Sequence, residues 1–188
     1  MTTRSHPPFL AFTLLAGVIS AATAQHADQI TARGIGALRL CEALRRVNGL
    51  FPVARDTIIA GEGDSRWPSK VVSLGSSEWM IFESSWIDTT HVWRIATNSP
   101  RYQTLHGARV GMSINDLLRH GDALEFSYPE GYVVITLHQD SVSFLVDDHS
   151  AAEFWTHFDF KADSVDALRI MSHDARVKEL ITGGDCRH

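Results

Sequence analysis

Apolar side chains recur at helical spacing near the start of the chain. Four of them lie on one face of the predicted helix, and charged residues occupy much of the opposite face; the four are Leu40, Leu44, Val47 and Phe51. A single apolar stripe of this kind can face a core. The pattern therefore predicts an amphipathic helix over residues 41–48.

A second apolar stripe is formed by Ile114, Leu117 and Leu118. Ser113 precedes it, and Asp116 follows Ser113 by three residues. A serine with an acidic residue three positions later is typical of a helix start, because the serine hydroxyl accepts a hydrogen bond from a free backbone N–H. The pattern predicts a second helix with Ser113 as its cap.

Strand-like runs follow both predicted helices. The runs cover 70–74, 78–84 and 91–97 in the first half, and 123–128, 132–138, 141–147 and 165–172 in the second. Short turn-like sequences separate several of them, which favours antiparallel neighbours. We expect an α+β fold built from two tandem helix-then-antiparallel-sheet repeats that share a core.

A short phrase also recurs along the chain. Residues 37–44 and 107–114 share a pattern at a constant offset of 70 residues. Repeats of this kind show how a core is assembled, because each unit has an apolar face that it cannot cover alone. The predicted organisation is a first repeat over 25–100 and a second over 101–188, with a tethered C-terminal tail.

Residues 1–24 resemble a secretory signal. The stretch 9–22 is mostly apolar, and Ala22-Thr23-Ala24 offers the small residues that a signal peptidase accepts. We expect a mature chain that begins at Gln25 and is periplasmic or secreted. No later apolar run approaches the length of about 20 residues that a transmembrane helix needs.

The chain contains two cysteines, Cys41 and Cys186. In an oxidising compartment such a pair is more often a disulfide than two buried free thiols, although the second alternative stays open. A bridge here would close a loop of 145 residues, for which chain entropy gives about 5 kcal/mol as an upper estimate. Gly111 occupies the position of Cys41 in the second phrase, which indicates a tight backbone site.

The composition argues against nucleic acid as a partner. The formal net charge of the full sequence is −5 at pH 7. Proteins that bind nucleic acid are usually basic, because the phosphate backbone supplies much of the affinity.

Two segments, 30–40 and 97–111, resemble a group of exported bacterial proteins that have no assigned activity. The resemblance rests on Gly34-Ile35-Gly36 with Leu38-Arg39-Leu40, and on Thr97-Asn98-Ser99-Pro100 with Val110-Gly111. The predicted tandem plan also resembles the fold of the secreted β-lactamase inhibitor protein. Both resemblances imply an architecture, and neither assigns an inhibitory or catalytic residue.

Two constellations could carry chemistry. Ser65 ends a Gly-Asp-Ser triplet of the kind found in one class of esterases, although a Gly-rich surface turn explains it better. His149 and His157 lie among aspartates and could take part in a metal site, but their spacing matches no established ligand pattern. No nucleophile, base and orienting acid can be nominated together.

Tryptophan and arginine favour contact with a partner over catalysis, because both are enriched where one protein surface binds another. Trp79 and Trp93 are expected in the core, and Trp67 and Trp86 in exposed loops. The candidate interaction residues are Trp67, Trp86, Arg39, Arg45 and Arg46. We expect an exported, non-catalytic module without a cofactor that binds a protein or another envelope component; the alternatives are a small-molecule or metal-binding protein and, less favoured, an esterase-like hydrolase.

Overall fold

The strands and helices of this protein were located in a computed structural model. The structure describes residues 28–61, 65–120, 124–127, 133–147, 175–184 and 186. The predicted signal peptide at 1–24 and the predicted strand at 165–172 lie outside the described residues.

The described elements are eleven strands and two short helices. In chain order they are β1 (Ile30–Thr31), β2 (Gly34–Ile35), β3 (Leu38–Arg39), α1 (Arg46–Leu50), β4 (Arg55–Ala60), β5 (Arg66–Gly75), β6 (Glu78–Glu83), β7 (Arg94–Thr97), α2 (Ile114–Leu118), β8 (Leu124–Ser127), β9 (Val133–Leu137), β10 (Val142–Asp147) and β11 (Arg176–Gly183).

The strands form two antiparallel sheets. A three-stranded sheet has the order β1-β2-β3, and an eight-stranded sheet has the order β4-β5-β6-β7-β11-β10-β9-β8. Within the larger sheet, the strands before residue 100 lie on one side and the later strands on the other. The two sides meet where β7 pairs with β11, with Ala96 opposite Ile181. The division of the chain near residue 100 stays a prediction.

The expected α+β class with tandem helix-then-sheet repeats is wrong, because the protein is mostly β. The two described helices span five residues each, and one continuous sheet takes strands from both halves of the chain. The physical reason lies in the backbone of 41–44. Cys41 has a left-handed backbone, with φ of 66°, and the Leu44 N–H donates to the Thr90 carbonyl, whereas in a helix over 41–48 it would bond the Leu40 carbonyl. Leu40 and Leu44 therefore belong to a turn, and α1 begins only at Arg46.

The second helix was predicted correctly at its start. The Ser113 hydroxyl accepts a hydrogen bond from the Asp116 backbone N–H at 3.1 Å, and α2 begins at Ile114. This confirms the cap, which satisfies a donor that the first turn of the helix leaves free.

The two copies of the short phrase make corresponding backbone contacts. Cys41 donates its N–H to the Val92 carbonyl at 2.7 Å, and Gly111 donates to the Val177 carbonyl at 2.8 Å. Both residues have positive φ, 66° for Cys41 and 86° for Gly111. A left-handed backbone is easy for glycine and costly for other residues, so the cysteine is held there by its surroundings.

One face of the larger sheet forms the core. Met80, Thr97, Leu180, Phe144 and Ile135 follow one another across five neighbouring strands, and all five are fully buried. The helices contribute Val47 and Leu117 to the same cluster of buried residues.

The edge strand β4 is marked by charge. Asp56 forms an ion pair with Lys70 of β5, its partner in the register. The Lys70 side chain is mostly buried while the Asp56 side chain is exposed, so the aspartate draws the ammonium group out to the rim of the sheet.

The predicted disulfide is confirmed. Cys41 and Cys186 are bonded, with their Cα atoms 5.4 Å apart. A disulfide is typical of oxidising compartments, so it is compatible with a secreted or periplasmic protein. Among the residues that the structure describes, no helix is long and apolar enough to cross a membrane.

Two isoleucines test the position of the core. Ile135 is fully buried and Ile58 is 66% exposed. Replacing Ile135 with Ala should lower the free energy of unfolding by about 2 to 5 kcal/mol, because it leaves a cavity. The matched Ile58→Ala change should alter it by no more than about 0.5 kcal/mol. Urea denaturation measures both, and equal effects would contradict this assignment of the core.

Candidate functional site

The connection between β6 and β7 carries the most exposed large apolar pair in the described chain. Trp86 is 71% exposed and the neighbouring Ile87 is 78% exposed. We call residues 84–93 the Trp86 loop. Adjacent exposed apolar side chains of this size commonly mark an interaction site.

A hydrogen-bonded turn presents these two side chains. The Ser85 N–H donates to the Asp88 carbonyl, and the Asp88 N–H donates to the Ser85 hydroxyl, both at 3.0 Å. Trp86 and Ile87 occupy the two positions between them. Turns usually place Gly, Pro, Asn or Asp there for conformational reasons, so this turn holds large apolar groups where local structure does not call for them.

The Asp88 carboxylate organises the rest of the Trp86 loop. It accepts hydrogen bonds from the Thr90 N–H at 2.9 Å and from the Thr90 hydroxyl at 2.7 Å. The His91 ring nitrogen Nδ1 lies 2.8 Å from its second oxygen. The bonds from Thr90, above all, lower the pKa of Asp88 from 3.8 to about 2, because hydrogen bonds to the charged form favour it.

The base of the Trp86 loop is held from two sides. On one side, two residues of the turn at 41–44 donate hydrogen bonds to it. The Leu44 N–H donates to the Thr90 carbonyl at 2.8 Å, and the Cys41 N–H donates to the Val92 carbonyl. On the other side, the Gly184 N–H donates to the Trp93 carbonyl at 3.2 Å. The Cys41–Cys186 disulfide joins these two clamps.

Two of the candidate arginines, Arg39 and Arg46, contact the Glu42 carboxylate on the same turn. Glu42 accepts a hydrogen bond from the Arg46 guanidinium at 2.8 Å and from the Arg39 backbone N–H at 3.3 Å. The Arg39 guanidinium donates to the Gly36 carbonyl at 3.2 Å. Arg39, Arg45 and Arg46 are all exposed. Because 41–44 bonds to 90–92, the structure places Arg45 and Arg46 beside the base of the Trp86 loop.

Trp67 lies elsewhere and is not in an exposed loop, so that expectation is wrong. It belongs to β5 and is half-buried, with its indole N–H 3.3 Å from a carboxylate oxygen of Glu83. A Cβ atom added at Gly61 would lie 2.5 Å from the Trp67 ring, so the glycine allows the close approach.

Trp79 and Trp93 also differ from their expected core positions. Trp93 is 38% exposed, and the Arg94 guanidinium lies 5.7 Å from the centre of its ring. Trp79 is half-buried on the face of the sheet opposite the core.

The described residues provide no supporting geometry for the metal-binding and esterase-like alternatives. His149 and His157 lie outside them, and within them no group of three or more His, Cys, Asp or Glu side chains could hold a metal ion. The Ser65 carbonyl accepts a hydrogen bond from the Gly61 N–H at 2.9 Å, as a residue closing a turn between two strands would.

Asp88 and Ile87 were not singled out in the sequence. The segment Asp88-Thr89-Thr90-His91 could have predicted this turn, because an aspartate often accepts hydrogen bonds from the backbone N–H groups of the residues just after it in a turn.

The Asp88 carboxylate should stabilise the Trp86 loop only while it is ionised. Its folded pKa lies below the ordinary value, so its stabilising effect is complete above pH 3.8 and is lost as the pH falls through about 2. Asp88→Ala should increase hydrogen exchange at the Thr90 and His91 amides even at pH 7. Asp116→Ala, which alters a distant carboxylate, should leave those amides unchanged; NMR exchange rates that show no difference between the two variants would refute the role of Asp88.

Comparison with known proteins supports the fold alone. No family model and no curated protein matches this chain. Among solved structures, it is similar to the crystal structure of the uncharacterized protein yfeY from Escherichia coli, with a TM-score of 0.51 and 11% sequence identity. The match covers 84% of this chain and 97% of that one. At this identity, the chain shares an architecture with that protein.

Proposed function

We propose that this protein is an exported, non-catalytic module that binds a protein, or another component of the bacterial envelope, through the Trp86 loop. The observation that supports the proposal is the exposure of Trp86 and Ile87 on a turn that backbone and side-chain hydrogen bonds fix between Ser85 and His91.

The energetics favour contact through these two side chains. Fully burying a large apolar side chain contributes roughly 1.5 to 3 kcal/mol relative to leaving it in water. A loop that is already ordered loses little conformational freedom when it binds, so more of that free energy appears as affinity. The Asp88 bonds and the clamps at the loop base supply this order.

Positively charged side chains lie near the apolar pair and extend the proposed contact surface. Arg45 and Arg46 are exposed beside the loop base, and arginine with tryptophan is the combination most enriched among residues that dominate binding energy. Arg39 ends β3 just before the turn, and its backbone N–H donates to the Glu42 carboxylate. We propose that the arginines orient a partner whose facing surface is acidic around an apolar pocket.

Export is part of the proposal. The disulfide and the predicted signal at 1–24 both fit a periplasmic or secreted protein, and an acidic net charge of −5 gives no reason to assign nucleic acid as the partner. We assign no cofactor.

Trp86→Ala should weaken partner capture and leave thermal stability nearly unchanged, because an exposed side chain contributes little to the core. Trp67→Ala is the matched change at a half-buried tryptophan, and it should lower stability, since it removes packing and the bond to Glu83. The measurement is photo-crosslinking in the envelope with a reactive amino acid at position 87, followed by mass spectrometry, with the thermal midpoint of each variant measured alongside.

A reactive amino acid at the exposed position Ile58 serves as the control for non-specific crosslinking. The proposal requires a product that forms from position 87, is absent from position 58 and decreases in the Trp86→Ala background. An identical product pattern from both positions would show that the Trp86 loop is not the contact surface.

A further inference from the structure

The face of the large sheet opposite the core carries a continuous apolar row. Val71, Ile81, Ala96 and Ile181 are register partners across β5, β6, β7 and β11. Beyond β11 the row becomes polar, because Ser143 and Thr136 follow on β10 and β9. Within this row, the apolar side chains are thus confined to β5, β6, β7 and β11.

The four apolar residues of this row line a groove of about 400 Å³, and Ile59 of β4 extends it to the sheet edge. Its lining comes from five neighbouring strands, β4, β5, β6, β7 and β11. Strands in a sheet lie about 4.8 Å apart, so the groove runs for roughly 19 Å across them. That length matches about six residues of extended polypeptide at 3.3 Å per residue.

The charges in the groove do not balance. Arg94 donates two hydrogen bonds to Glu83, at 3.1 and 2.7 Å, and the Glu83 side chain is only 5% exposed. The guanidinium is therefore already engaged by one carboxylate. Glu179 of β11 also lines the groove, so the lining holds two carboxylates and one guanidinium. The Lys178 ammonium group, whose charge also acts on Glu179, is exposed and is not part of the lining.

Glu179 lies in an unfavourable position for a carboxylate. It is half-buried, and no described residue donates a hydrogen bond to its carboxylate. Burial is the main cause that raises its pKa above 4.5, with a smaller contribution from Glu83, while Lys178 and Arg94 act in the opposite direction. From β10, its register partner is the uncharged Leu145.

A second polar group on this face has no hydrogen-bond partner among the described residues. Ser69 is the register partner of Glu83 and is 1% exposed, and its hydroxyl forms no hydrogen bond with the described residues. A buried polar group without a partner is unfavourable, because it has lost its hydrogen bonds to water. The Glu83 end of this face therefore holds hydrogen-bonding capacity that the described fold leaves unused.

We propose that this groove binds an extended polypeptide segment in which a lysine or arginine, paired with Glu179, adjoins apolar side chains that pack on Val71, Ile81 and Ile181. The excess negative charge selects the cation, since a charge facing its opposite across an interface favours that partner over others. The length and openness of the groove fit a chain segment. This surface is separate from the Trp86 loop and goes beyond the function proposed above.

The first test is a selection of displayed random octapeptides on the full exported protein. The expected consensus contains a basic residue next to one or two apolar residues. Binders without a basic residue, whatever their apolar content, would overturn the proposal, as would the absence of any enrichment over a column without protein.

The second test measures the affinity of a selected peptide by calorimetry. Glu179→Gln should weaken binding about tenfold or more at pH 7, because a hydrogen bond between charged groups is stronger than one to a neutral amide. Replacing the peptide's basic residue with norleucine should weaken binding to the wild type and have little effect with Glu179→Gln. Unchanged affinity for Glu179→Gln would overturn the proposal.

Glu125→Gln is the matched control. Glu125 is exposed on β8 and is the register partner of Thr136, so it continues the same cross-strand row. Glu125→Gln therefore makes the same chemical change on the same face of the sheet, three strands away from Glu179. It should leave affinity unchanged. Trp86→Ala should also leave it unchanged, which separates this groove from the function proposed for the Trp86 loop.

The pH dependence gives a further readout. The ionised form of Glu179 is needed to pair with the cation, and its pKa is raised by burial, so affinity should fall with decreasing pH already above 4.5. With Glu179→Gln this fall should be absent. A wild-type affinity that stays constant down to pH 4.5 would contradict the pairing.

Discussion

The pairing of β7 with β11 is the constraint on which the rest of the fold depends. It joins strands that are about eighty residues apart in the chain and makes one sheet of two four-stranded groups. It brings Glu179 within the electrostatic reach of Arg94 and Glu83. It also carries the chain on to Gly184 and Cys186, which hold the base of the Trp86 loop. Both proposed binding surfaces thus derive from one antiparallel contact.

Periodicity in the sequence predicted β5 to β10, missed β1 to β4 and β11, and misjudged the class. The alternation of Val142, Phe144 and Val146 is real because one face of β10 is buried and the other is not. The helical spacing from Leu40 to Phe51 is also real, but only Val47 lies in a helix; a turn that places Leu40 and Leu44 toward the core produces the same spacing. Strand β4 was missed because an edge strand with exposed charges shows no apolar face along much of its length.

The candidate site was predictable in part. Trp86 was identified from its residue type and its loop-like neighbours, and the disulfide from an even cysteine count with an export signal. The groove could not be found in this way. Glu179 becomes distinctive only when the register places β11 between β7 and β10, since a single glutamate in a strand is otherwise an ordinary solvent-facing residue. Properties set by long-range pairing leave no local trace in sequence.

The ion pair on β4 bears on how the protein behaves when it is crowded. An open sheet exposes unpaired backbone groups at its outer strands, and those groups can recruit a strand from a neighbouring molecule. At the β4 edge, such a neighbour would have to approach the exposed Asp56 carboxylate and displace or bury it together with the Lys70 ammonium. Charged side chains on an outer strand are one of the ways in which proteins discourage such pairing. The Asp56–Lys70 pair therefore disfavours edge-to-edge association at β4.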